Sequence, residues 1–243
     1  MLPLQGKKLA PNARLLAIFH LLQEEKKRLM RNYTHLIWDF NGTILNDVAL
    51  GIESANYLLA AHGLPLIQSV EQYRELFGFP IQDYYLRMGF DFDKTPYSEL
   101  AVEWVAYYLE CKHRATVFEG IPSALARAQA LGISQLILSA TELEMLKGQV
   151  EELGLLSYFN ELLGLGNIRA HSKKEIGLQW RAQNPQARVL MIGDTDHDAE
   201  VALAMGADCV LLCCGHQSRE RLEKCNCLLV ADSVEDAFHR LFQ

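Results

Sequence analysis

Three apolar runs in this chain each stop at a residue able to do chemistry. Leu36-Ile37-Trp38 runs into Asp39, and Asn41, Gly42 and Thr43 follow within one turn. The run Leu136 to Leu138 stops at Ser139, and Val189 to Ile192 stops at Gly193-Asp194, with Asp198 one helical turn further on. Short apolar runs bounded by turn residues read as buried parallel strands. Open α/β sheets place their ligands and catalytic groups at the carboxyl ends of such strands. A lone Asp there also serves as a turn cap; three coinciding strand ends favour a site. Two carboxylates, Asp39 and Asp194, have the oxygen chemistry that holds Mg²⁺ while the ion keeps several waters. Thr43 and Ser139 supply hydroxyl donors. Gly42 lets backbone N–H groups approach an anion closely. A first-turn lysine, Lys173 or Lys174, supplies fixed positive charge.

Together these stretches resemble the haloacid dehalogenase (HAD) superfamily of Asp-nucleophile phosphatases. Its first motif, Asp-x-Asp-Gly-Thr, is matched by Asp39-Phe40-Asn41-Gly42-Thr43. Its second, an apolar strand ending in Ser or Thr, is matched at Ser139. The lone Lys of its third is Lys173 or Lys174, and Gly193, Asp194 and Asp198 match its fourth. The first and fourth are specific together; the second and third are weak alone. The likeness runs from about Tyr33 to the C-terminus. It implies a HAD-like Rossmannoid α/β core with a parallel sheet and an inserted α-helical cap of the C1 type, as in phosphoglycolate phosphatase-like members. It further implies that Asp39 attacks the phosphorus of a small phosphorylated metabolite through an aspartyl-phosphate intermediate. In that scheme Mg²⁺ is held by Asp39, the backbone carbonyl of Asn41, Asp194 and Asp198. Gly42, Thr43, Ser139 and Lys173 attend the phosphate. Lys173 is preferred to Lys174 because it directly follows the capping Ser172.

One position departs from the pattern. Where the resemblance calls for an acid to protonate the leaving oxygen, the chain has Asn41, whose amide donates a hydrogen bond but carries no proton between steps. Acid–base help is typically worth about 10²–10⁴-fold. Three readings follow. Substrates with good leaving groups, such as acyl phosphates, would not need the proton. A histidine (His62, His113 or His197) would supply it. Or the domain mainly binds a phosphorylated ligand. On the first reading the family acid, restored by Asn41→Asp, would raise alkyl phosphate hydrolysis roughly 10²-fold; where a histidine supplies the proton, His62 first, the variant would gain nothing.

The elements that must position these groups read as alternating strands and helices, which implies a parallel sheet. Residues 33–47 and 116–243 are expected to form the α/β core. Residues 48–115 show helical starts and stops and no strand pattern, and are expected to form the cap. Within it, Ser69 with Gln72 marks one helix start, Pro80 and Thr95-Pro96 two others. Thr141 with Glu144 and Ser172 with Glu175 mark two helix starts in the core. The cap aromatics are expected to form its own apolar centre, with His62 and Arg87 as polar candidates for substrate contact.

Composition bounds the partners. The chain has 243 residues, half of them hydrophobic, and a net charge of −7. That size and composition make a globular core, and the charge argues against a nucleic-acid or anionic-membrane partner. Six cysteines suggest free thiols in a reducing cytoplasm; those at 213, 214, 225 and 227 match no zinc spacing. Residues 1–32 carry an apolar stretch at 15–22 too short to span a membrane. They read as an accessory helix or the product of an upstream start.

Overall fold

The computed structural model describes residues 33–166 and 172–242. The expected N-terminal helix, within 1–32, lies outside them. Six parallel strands form the central sheet. They are β1 (His35–Trp38), β4 (Ser134–Glu142), β5 (Glu161–Leu165), β6 (Val189–Gly193), β7 (Asp208–Leu212) and β8 (Leu229–Ala231), in spatial order β5-β4-β1-β6-β7-β8. From β1 the chain moves outward on one side through β4 and β5, then returns and moves outward on the other. The direction therefore reverses between β1 and β6, and such a switch point opens a crevice beyond the strands' carboxyl ends. Asp39 and Asp194 directly follow these two strands.

Both faces of the sheet are covered, which is why its strands read as continuous apolar runs. Alternation sorts β1 between two cores. Leu36 and Trp38 join Ile137, Leu190 and Ile192 on one face, while Ile37 joins Leu136, Leu138 and Met191 on the other. Helices α5 (Ile121–Ala130), α6 (Leu143–Glu152) and α10 (Val234–Phe242) pack toward the first face; α7 (Lys173–Gln183) and α8 (Asp196–Met205) pack toward the second. A short helix, α9 (Arg219–Leu222), lies between β7 and β8.

Between residues 47 and 115 the chain forms four α-helices: α1 (Val48–Ala61), α2 (Val70–Leu76), α3 (Ile81–Arg87) and α4 (Tyr97–Cys111). They enclose their own apolar centre, with Leu58, Tyr73, Tyr84, Tyr85, Phe90 and Leu100 buried in it. Ser69 caps α2 as its sequence suggests, accepting from Gln72 N. A two-stranded antiparallel ribbon, β2 (Leu45–Asn46) with β3 (Thr116–Val117), closes the base of this insert. The ribbon is too short for a periodic signal.

One helix start differs from its expectation. β4 runs on to Glu142, and the cap of α6 is Glu142, which accepts from Met145 N, rather than Thr141. The extra strand residues carry Thr141 away from the helix and leave its hydroxyl for the site below.

Candidate active site

Asp39 and Asp194 leave adjacent strands on either side of the switch point, and Asp198 lies in the first turn of α8. Single oxygens of the three carboxylates lie within 4.8 Å of one another, and all three side chains are buried. Lys173 enters from the first turn of α7, where Ser172 caps the helix by accepting from Glu175 N. Its Nζ donates to both Asp39 and Asp198. Lys174 is exposed, because one step along a helix turns a side chain by roughly 100°. Asp198 also completes a capping box with Thr195, accepting from Thr195 N and Oγ1 and from Asp194 N. It thus fixes the lysine and the strand-to-helix turn together.

The geometry gives two glycines a steric role. Gly42 has φ +73°, and a Cβ there would collide with Asp194 and His216. Its N–H is already committed to Leu45 O at 2.9 Å and Asp47 Oδ1 at 3.0 Å. Gly42 therefore provides close approach of chains, and the donor expected from the sequence for an anion is taken. A Cβ at Gly215 would likewise strike Asp194. Thr43 Oγ1 donates to Asp194 Oδ1 at 3.0 Å and is fully buried, so in this arrangement it orients the acid. Ser139 Oγ accepts from Thr141 N at 3.0 Å and donates to Thr141 Oγ1 at 3.1 Å.

Charge and burial compete at every titratable group. Burial raises Asp39 well above the usual carboxylate range, against the pull of Lys173. Burial also raises Asp194, against nearby His216, to about 6. For Asp198 burial is overcome by Lys173, and the carboxyl lies below its ordinary value. Burial would lower Lys173, but Asp198 and Asp39 hold it well above its usual value. Three buried carboxylates facing one ammonium leave surplus negative charge at the site, and buried charge is costly unless paired. An all-oxygen donor set with surplus negative charge fits a hard divalent cation such as Mg²⁺.

A second buried cluster adjoins the first and was not legible as a site in the sequence. Asp47 Oδ2 accepts from Asn41 Nδ2 at 2.7 Å and from Tyr108 OH at 2.9 Å. His216 Nε2 lies 3.2 Å from Asp47 Oδ1, its Nδ1 lies 2.8 Å from Tyr73 OH, and its backbone N donates to Asp194 Oδ2 at 2.7 Å. Burial would lower the His216 pKa, but Asp47, with Asp194 and Asp39 behind it, raises it to about 9. Burial would raise Asp47, and His216 holds it below its usual value. In the sequence Asp47 reads only as a helix start, and His216 belongs to no motif. A signal does exist: Gly215-His216 follows β7 much as Gly193-Asp194 ends β6.

The histidines singled out from sequence lie elsewhere. His62 contacts Glu103 at 3.1 Å and packs edge-on against Phe90. His113 bonds Glu110 O, and His197 lies tilted against the Phe79 ring, 4.7 Å between centroids. Arg87 donates to Leu76 O at 2.6 Å, bracing the turn between α2 and α3.

A Rossmann-like parallel sheet carries Asp39 and Asp194 at its switch point, a lysine that bonds Asp39 and Asp198, and a helical insert after the first strand. The chain belongs to the haloacid dehalogenase-like hydrolase family, whose model matches residues 36–212. It is 24% identical over 198 residues to a probable phosphatase, IndB, of Dickeya dadantii, covering 80% of this chain and 81% of that one. It is 22% identical over 213 residues to a phosphoglycolate phosphatase of Vibrio parahaemolyticus, covering 83% and 92%. Among solved structures it resembles a haloacid dehalogenase-like hydrolase of Streptococcus pneumoniae, with TM-score 0.74 and 20% identity over 87% of this chain and 99% of that one.

Proposed function

We propose that this protein is a Mg²⁺-dependent phosphatase or phosphotransferase acting on a small phosphorylated metabolite through an aspartyl-phosphate on Asp39. The observation that carries the proposal is the meeting of Asp39, Asp194 and Asp198 around Lys173 at the sheet's switch point. The two curated relatives, named as phosphatases, support the same class.

Asp39 is the nucleophile: an oxygen of its carboxylate bonds to phosphorus as the P–O bond to the leaving group breaks. Lys173 aims that carboxylate and balances charge gathering on the phosphoryl oxygens. Asp198 in turn holds Lys173, and Thr43 holds Asp194. Mg²⁺ would be held by Asp39 and Asp194, with the Asn41 carbonyl and Asp198 as further candidates, and when bound it neutralises phosphate charge that would otherwise repel the nucleophile. Water then attacks the phosphorus and frees Asp39. Residues 48–115 act as a cap that excludes bulk water and contacts the rest of the substrate.

Asn41 points to substrates whose leaving group departs without a proton, acyl phosphates first. The six thiols are unpaired, which fits a reducing cytoplasm. Among the described residues no helix is long and apolar enough to cross a membrane. The test is a phosphatase panel with Mg²⁺ that includes acetyl phosphate and p-nitrophenyl phosphate. Turnover that EDTA abolishes supports the proposal. Tight binding of phosphorylated ligands without turnover would establish instead a protein that only binds them.

A further inference from the structure

Asn41 is held on every side. Its Nδ2 donates to Asp47 Oδ2 at 2.7 Å and to Tyr108 OH at 3.1 Å, while its Oδ1 accepts from Thr141 Oγ1 at 2.8 Å. The donors run one way, from Ser139 to Thr141, from Thr141 to Asn41, and from Asn41 to Asp47. A carboxylate at position 41 could not make the last link. It would instead face the buried Asp47 carboxylate across hydrogen-bond distance from a half-buried position, where like charges repel.

Asp47 has three arms. One grips the turn after the nucleophile, through Asn41 Nδ2 and Gly42 N. A second reaches the helical insert, through Tyr108 OH. The third meets His216, which holds Asp194 by its backbone N–H and faces Tyr73 of the insert with its ring. Arg74 of the insert adds donors to Cys214 O and Gly215 O on the same loop. One buried carboxylate thus joins the nucleophile turn, the insert and the loop that carries His216 to Asp194.

We propose that Asp47 is the positioning residue through which the helical insert sets the geometry of Asp39 and Asp194, and that position 41 carries an amide because Asp47 supplies the carboxylate there. Its kinetic consequence rests on the phosphoryl-transfer reading. The pair is reversible on paper. With the two side chains exchanged, the amide at position 47 would donate to the carboxylate at position 41, and its carbonyl oxygen would accept from Gly42 N. A gain on Asn41→Asp, as the sequence suggests, is then not expected; the single variant loses and the exchange recovers.

The experiment compares the parent with Asn41→Asp, Asp47→Asn, the double exchange and Tyr108→Phe. For each, Tm is measured with and without Mg²⁺, and kcat and KM for p-nitrophenyl phosphate well below Tm. Both single variants of the pair should lower Tm by several degrees. They should cut kcat by about 10²-fold, the effect of a misplacement near 1 Å, with KM changed much less. The double exchange should recover most of both losses. Tyr108→Phe adds no charge and removes one hydroxyl with its bonds to Asp47 and Asn41, so it should lower kcat with a smaller effect on Tm. Asn41→Asp as active as the parent, or a double exchange no better than the sum of its parts, would overturn the proposal. If the parent shows Mg²⁺ binding but no turnover on any substrate, the phosphatase reading fails by itself. The metal-induced Tm shift then decides: reduced in the single variants and restored in the exchange supports the role of Asp47, unchanged throughout refutes it.

Discussion

Replacing Lys173 by Met removes the one ammonium that bonds both Asp39 and Asp198 while keeping a chain of similar length. Lys173 is 4% exposed and Asp198 1%, so water cannot take over the lost donor. Two carboxylates at the 4.8 Å limit of this cluster repel by about 3–4 kcal/mol at an effective dielectric near 20. Breaking a buried pair by deleting one partner usually costs about 3–5 kcal/mol. For 243 residues that is a fall in Tm of roughly 6–20 °C. Part of the loss will be relieved by protonation of one acid, since burial already favours neutral Asp39. Thermal unfolding of metal-free protein by circular dichroism measures the drop, and initial rates well below the new Tm measure catalysis. Saturating Mg²⁺ should recover much of the Tm, because it restores positive charge, but not activity, because it cannot aim Asp39 from α7. A Tm within about 2 °C of the parent, with kcat within about tenfold, would refute the reasoning that Lys173 holds the acids in place.

Other perturbations test separate links. Asp39→Asn removes the nucleophile and one candidate metal ligand together, so turnover should vanish, as it should for the parent in EDTA; residual full activity in either assay would exclude the mechanism. Gly42→Ala sets a methyl against Asp194 and His216 at a φ of +73°, which should lower both Tm and Mg²⁺ affinity by calorimetry. His216 has its pKa raised from 6.5 to about 9, so its contribution to stability is complete below pH 6.5 and is lost as pH rises through 9. Metal-free Tm should therefore fall across that window, and His216→Gln should flatten the fall. Asp194, raised from 3.8 to about 6, has the same sign: metal-free stability from this group is full below 3.8 and gone above 6. Mg²⁺ competes with that proton, so its stabilisation should strengthen as pH rises through 6.

The sheet was legible because its strands are buried on both faces and stop at Gly or polar residues. Val189–Gly193 falls within the same bounds in sequence and structure. Lys173 could be chosen over Lys174 because a capping Ser fixes which helical position faces inward. The second cluster was hidden for a physical reason. Asp47 and His216 are far apart in sequence, and neither lies in a periodic pattern; their bond exists only because the β7–α9 loop folds over Gly42. Thr141 misleads because Thr-x-x-Glu satisfies a capping box equally well one residue early, and the extension of β4 makes the choice. Asn41 was legible as an oddity, but its partners on α4 and at Asp47 were not.

The most direct measurement is acid-quench trapping after brief exposure to acetyl phosphate and Mg²⁺, with the labelled peptide identified by mass spectrometry. Lacking an acid–base group at position 41, the protein should accumulate a phosphoryl group on Asp39 within the first turnover, and Asp39→Asn should show none. Substrate turnover with Asp39 unlabelled, or with the phosphoryl group on another residue, would contradict the account.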